Sequence, residues 1–109
     1  MDEVQLVARQ QDRLRHFPTL LTRWAGAFAR MASLDHSCPR ALRIEFTRPE
    51  SRGFLRLACI SPDFIHGPTE WPDAHVTVSL TPDGQGFAVT DAAADVSIIA
   101  GSVEISEHP

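Results

Sequence analysis

Leu14, Phe17, Leu21, Trp24, Phe28 and Met31 fall at steps of three and four residues, so on a helix they share one face. This spacing predicts one amphipathic helix from Leu14 to Leu34. A helix alone in water cannot hide aromatic side chains of that size, so the rest of the chain must supply a surface to cover them. Upstream, residues 3–15 have helix-forming composition, with Val4, Leu6, Val7 and Ala8 set among glutamines and arginines. Pro18 in mid-helix would remove a hydrogen bond and clash one turn back. Either one long helix kinks there, or a second helix begins with Pro18 in its first turn, the better fit to proline's preference. Gly26 weakens that helix by about 1 kcal/mol relative to alanine, and it permits close packing against a strand. The stretch Asp35-His36-Ser37-Cys38-Pro39 turns the chain.

From Arg40 the apolar period changes from about 3.6 to two. Leu42, Ile44 and Phe46 alternate with Arg43, Glu45 and Thr47, the pattern of a half-buried strand. A polar connection, Arg48 to Gly53, leads to a second strand over Phe54 to Ile60, with Leu55, Leu57 and Cys59 inward. The two form an antiparallel hairpin. Ser61 to Asp73 holds three prolines and a glycine and has no clear period, with room for a short strand at Phe64–His66. Ala74 to Leu80 alternates again, with Val76, Val78 and Leu80 inward. Thr81-Pro82-Asp83-Gly84 is a tight turn, because Pro presets one dihedral and Gly takes a positive one. Phe87 to Thr90 pairs back across it, and Asp91 to Asp95 is a connection or a single helical turn. Val96 to Ile105 is a last strand, bulged near Gly101, where the apolar phase slips between Ile98 and Val103.

The expected fold is therefore α+β: an N-terminal helix or helix pair packed on one face of an antiparallel sheet of about five strands. Its 109 residues suit a single domain, helical over 3–34 and sheet over 40–106. No apolar run approaches the roughly 20 residues of a membrane span, and the acidic start, Met1-Asp2-Glu3, is wrong for a secretory signal. With Cys38 and Cys59 read as free thiols, these features point to a cytoplasmic protein; a disulfide between them would contradict that.

Charge is split along the chain. Residues 1–43 carry seven arginines against four acids, whereas 44–109 carry three against ten, and no basic residue follows Arg56. The C-terminal half would repel nucleic acid and attract a basic partner. Arg9, Arg13, Arg15, Arg23 and Arg30 are interspersed with acids and read as a solvated helix face, so no nucleic-acid footprint forms.

Chemistry has few footholds. His36 and Cys38, completed by Cys59 and His66, could be drawn as a zinc site, but their spacing lacks two close pairs; a turn histidine and a buried cysteine are the plainer account. Ser61 or Ser37 with His66 or His75 and Asp63 or Asp91 lacks a nucleophile elbow. Gly84-Gln85-Gly86 sits in a turn with no helix after it, so it cradles no phosphate. No cofactor, metal or catalytic residue is assigned. The richest stretch is the 61–73 loop, where Asp63, Phe64, His66, Glu70, Trp71 and Asp73 form a candidate partner-binding surface. Against this stands the reading that Phe64 and Trp71 fold back to cap the core. Arg43, Glu45, Arg56, His75, Thr77 and Ser79 make a second, polar surface on the sheet, for which solvation accounts equally well.

The function expected from these residues is a small acidic protein-interaction domain without catalysis, such as an inhibitor or immunity-type protein covering a basic partner. The alternative is a small-molecule-binding or hydrolytic domain with a pocket between helix and sheet, using His66, His75 and an aspartate. A homodimer through edge strands or the N-terminal helix is a third reading.

Overall fold

The computed structural model describes residues 14–34 and 40–109. Of the helical segment expected over 3–15, residues 3–13 lie outside the described residues, as does the turn holding His36, Ser37 and Cys38, and Leu14 and Arg15 are in a turn rather than a helix. One helix, α1 (Phe17–Arg23), precedes seven strands: β1 (Phe28–Leu34), β2 (Ala41–Thr47), β3 (Phe54–His66), β4 (Glu70–Trp71), β5 (Thr77–Leu80), β6 (Phe87–Asp91) and β7 (Val96–His108). They form a single antiparallel sheet in the order β4-β1-β2-β3-β7-β6-β5, curled into a half-barrel around its core face.

This corrects the expectation of a helical layer on a five-stranded sheet. The long helix over Leu14–Leu34 does not form. Pro18 does lie in the first turn of α1, but the helix ends at Arg23, and Gly26 turns the chain with φ +87°. Beyond it the period is two: Ala27 and Ala29 are buried, while Phe28 and Arg30 face outward. The segment 28–34 is thus a strand, paired along its length with β2 from Phe28↔Thr47 to Leu34↔Ala41. Of the predicted apolar face only Phe28 turns outward: Phe17 and Trp24 cover the core with Leu14, Leu20 and Leu21 beside them, and Met31 packs against it from β1.

The β2–β3 hairpin is as expected, with Leu42, Ile44, Phe46, Leu55, Leu57 and Cys59 all inward. Burial pushes the Cys59 thiol up to about 12. Its thiol is neutral at pH 8, so iodoacetamide should label it only after unfolding, as read by site-resolved mass spectrometry. Because the folded value lies above the unfolded one, stability from this group is intact below about pH 9 and is lost as pH rises toward 12.

The end of α1 is anchored by two charges. Glu107 of β7 accepts from Trp24 Nε1 at 2.7 Å and from the Arg23 guanidinium at 2.7 Å. Arg48 lies over the Trp24 ring at 5.4 Å and donates to the Arg23 and Ala25 carbonyls at 2.8 and 2.9 Å, taking up acceptors that the helix end leaves open. Arg48→Ala should cost about 1–2 kcal/mol by chemical denaturation, from two charged hydrogen bonds partly replaced by water.

The half-barrel is drawn together by a strap, residues 69–80. Its first part bonds to β1 and its neighbours: Met31 N–H donates to the Thr69 carbonyl, Gly26 N–H to Ala74, and Ala74 N–H to Ala27. Its last part is β5, paired with β6 from Thr77↔Thr90 to Leu80↔Phe87. One strap therefore serves both edges of the sheet. No helix among the described residues is long and apolar enough to cross a membrane.

Candidate functional site

The irregular stretch expected over 61–73 is mostly strand. β3 continues through Ser61 to His66 beside β7, from Pro62↔Ala100 through Phe64↔Ile99 to His66↔Ser97, with the register shifting by one residue between Pro62 and Phe64. The phase slip expected near Gly101 is real: inward positions run 96, 98, 100 and then 103. The extra residue, however, lies across the ladder at Asp63 on β3. Ser61, with φ 55°, carries the bend.

β2 begins at Ala41, which pairs with Ile60. Beyond that point β3 keeps β7 on one side, and among the described residues no strand pairs with its other edge. Phe64 and Ile65, 52% and 47% exposed, lie on this overhang. Charges surround them: Asp63 is exposed, and His66 Nε2 meets the Asp95 carboxylate at 3.0 Å. Long apolar strand edges are normally blunted, because their open N–H and C=O groups invite pairing. Here Pro62 and the bulge do so at one end only.

The six residues expected to act together are split between two places. Asp63, Phe64 and His66 stand on β3. Glu70 is on β4, three positions away across the sheet, opposite Arg30. Asp73 is exposed and meets His75 Nε2 at 3.1 Å. Trp71 leaves the surface altogether: it is 4% exposed, and its Nε1 donates to Asp91 at 2.9 Å. Of the two aromatics suspected of capping the core, Trp71 does so and Phe64 does not.

Asp91 was hidden in the sequence within an Asp-Ala-Ala-Ala-Asp connection. It is the one buried charged residue of the described core, 1% exposed, and one carboxylate oxygen accepts both Trp71 Nε1 and the His75 N–H (2.8 Å). Its signal was the phase of β6: Phe87, Val89 and Asp91 alternate inward. A buried indole also needs an acceptor.

The polar sheet surface is an ordered row. Glu70, Arg30, Glu45 and Arg56 stand opposite one another on β4, β1, β2 and β3, alternating in sign. Arg56 reaches Glu45 at 3.2 Å and Arg43 reaches it at 3.7 Å. Such a row opposes a register slip, which would take each charge off its partner of opposite sign. His75, Thr77 and Ser79 lie elsewhere, on and before β5.

His66 and His75 pair with Asp95 and Asp73, and among the described residues no hydroxyl joins either pair into a nucleophile–base–acid line. Nor do three or more His, Cys, Asp or Glu side chains converge on a metal position among those residues. A cleft does lie between α1 and β5, of about 250 Å³ and mainly apolar, with His75 at its wall. Comparison with protein-family models, with curated proteins and with solved structures finds no match to this chain.

Proposed function

We propose that this chain is a non-catalytic protein-interaction domain whose contact surface is the β3 overhang, Asp63 to His66, and whose partner is basic. The observation that carries the reading is that Phe64 and Ile65, on opposite faces of the overhang, are both half exposed, with no strand along its other edge among the described residues. Aromatic and aliphatic residues at the centre of a patch supply most of the energy of an interface, and surrounding charges supply rate and choice of partner. The carboxylates at the overhang are Asp63 and Asp95, and Arg40 adjoins only its start, where its carbonyl accepts from the Ser61 N–H. An inhibitor covering a basic site is one form that such a domain takes.

The test is a capture experiment from lysate of the source, run with the parent and with Phe64→Ser. Phe64 is exposed, so its loss should change stability by less than about 0.5 kcal/mol. The parent should retain a basic protein at low salt and release it as salt rises, and the variant should retain at least tenfold less. Equal retention by both would sink the assignment of this surface. Sedimentation of the purified chain checks the dimer reading, with a monomer at micromolar concentration as the expected result.

A further inference from the structure

The cleft between α1 and β5 is bounded on one side by Phe17, Leu21 and Ala25 and on the other by four consecutive residues, 75–78. Side chains of neighbouring strand residues point to opposite faces, so a run of four on one wall means that the strand is met edge-on. The hydrogen bonds show which main-chain groups face the cleft. His75 N–H to Asp91 and Thr81 N–H to the Gly86 carbonyl point toward β6. Ala74 points the opposite way, accepting from Gly26 and donating to Ala27, both at 2.8 Å. By alternation Val76 and Val78 follow Ala74 toward the cleft, and among the described residues neither finds a backbone partner there. The ladder that starts at Ala74 stops because the chain beside it turns at Gly26 into α1.

We infer that this seam is a second binding site, one that takes an extended segment of a partner protein with an aliphatic side chain flanked by basic residues. An added strand is the ligand that satisfies an open row of N–H and C=O groups, and a groove between an edge strand and a helix gives its side chain a pocket. The basic flanks follow from charge: Asp73, its side chain 79% exposed, meets His75, which lines the cleft. This site is independent of the Phe64–Ile65 surface.

The test uses a nine-residue synthetic peptide alternating valine and arginine, titrated into the isotope-labelled protein. Amide signals of Val76 to Ser79 and of Leu21 should shift. Methylating the peptide nitrogens that face β5 should weaken binding about tenfold, the effect of losing a main-chain hydrogen bond. Replacing its arginines by glutamate should abolish binding. Val78→Pro removes an N–H that faces the cleft and leaves the ladder to β6 intact. Thr22→Trp fills the cleft from an exposed helix position, so the inference does not depend on the proline variant folding. Both should lose the peptide. No shift with the parent, shifts confined to Phe64–His66, or undiminished binding to Thr22→Trp would each overturn the inference. Phe64→Ser should bind the peptide normally, which separates this result from the fate of the β3 surface.

Discussion

Trp24→Ala should lower stability by about 3–5 kcal/mol, the usual cost of emptying a large aromatic site in a core. The ring is 7% exposed and does three things at once. It roofs the core beside Phe17, carries the Arg48 guanidinium on its face, and donates to Glu107. Removing it opens a cavity and frees two charges that had been fixed against it. Small domains hold about 5–15 kcal/mol in total, so Tm should fall by at least about 12 °C. Trp24→Phe keeps most of the packing and loses the hydrogen bond, so it should cost about 1–2 kcal/mol. Calorimetry on the three proteins separates ring from N–H. A fall of less than 2 °C for the alanine variant would show that the ring is not part of the core.

Asp91→Ala should be nearly as costly, at about 3–5 kcal/mol, for a different reason. It deletes little apolar contact but leaves the Trp71 indole N–H and the His75 N–H facing a vanished acceptor. An orphaned buried donor costs about 1–3 kcal/mol, and here two are orphaned together. Asp91→Asn keeps an oxygen in place and should recover more than half of the loss, as urea denaturation would show. Hydrogen exchange should also locate the damage. Amides at Ala74 and His75 should lose protection well before those of β2 and β3, because Asp91 ties the strap to β6. Uniform loss across the sheet would mean that Asp91 is not a local tie.

What could be read from the residues follows from how each element announces itself. The β2–β3 hairpin was legible because Leu42, Ile44, Phe46, Leu55 and Leu57 put large side chains on alternate positions with charge between them. The Thr81–Gly86 turn was legible from its proline, aspartate and glycine. The helix was overextended because Trp24, Phe28 and Met31 keep a spacing of four and three, whereas the true inward positions after Gly26 are held by Ala27 and Ala29. Small residues bury completely yet contribute little to an apolar pattern, so a strand whose core face is alanine was overridden by an aromatic facing outward. Of the second half of β3 only a short strand at Phe64–His66 could be read, and its continuity with Phe54–Ile60 was concealed by Asp63, since one inserted residue breaks the alternation that marks a strand. For the site, charge and aromatic content drew attention to 61–73. Only the pairing partners show that Trp71 belongs to the core, Phe64 to the surface, and Glu70 to another edge.

The sheet order also has a consequence for biosynthesis. β7 is the last strand in sequence but sits between β3 and β6, and Phe54 pairs with His108. A nascent chain can make the β1–β2–β3 meander early, from contacts near in sequence. Until residues 96–108 clear the ribosome, β3 and β6 both wait with an open flank for a neighbour that has not been synthesised. Late, sequence-distant pairings are slow to form, and exposed flanks are where chains associate wrongly. The window of risk is therefore the interval between completion of β3 and the arrival of β7, and a chaperone that shields the β3 flank during that interval should raise the yield of folded protein.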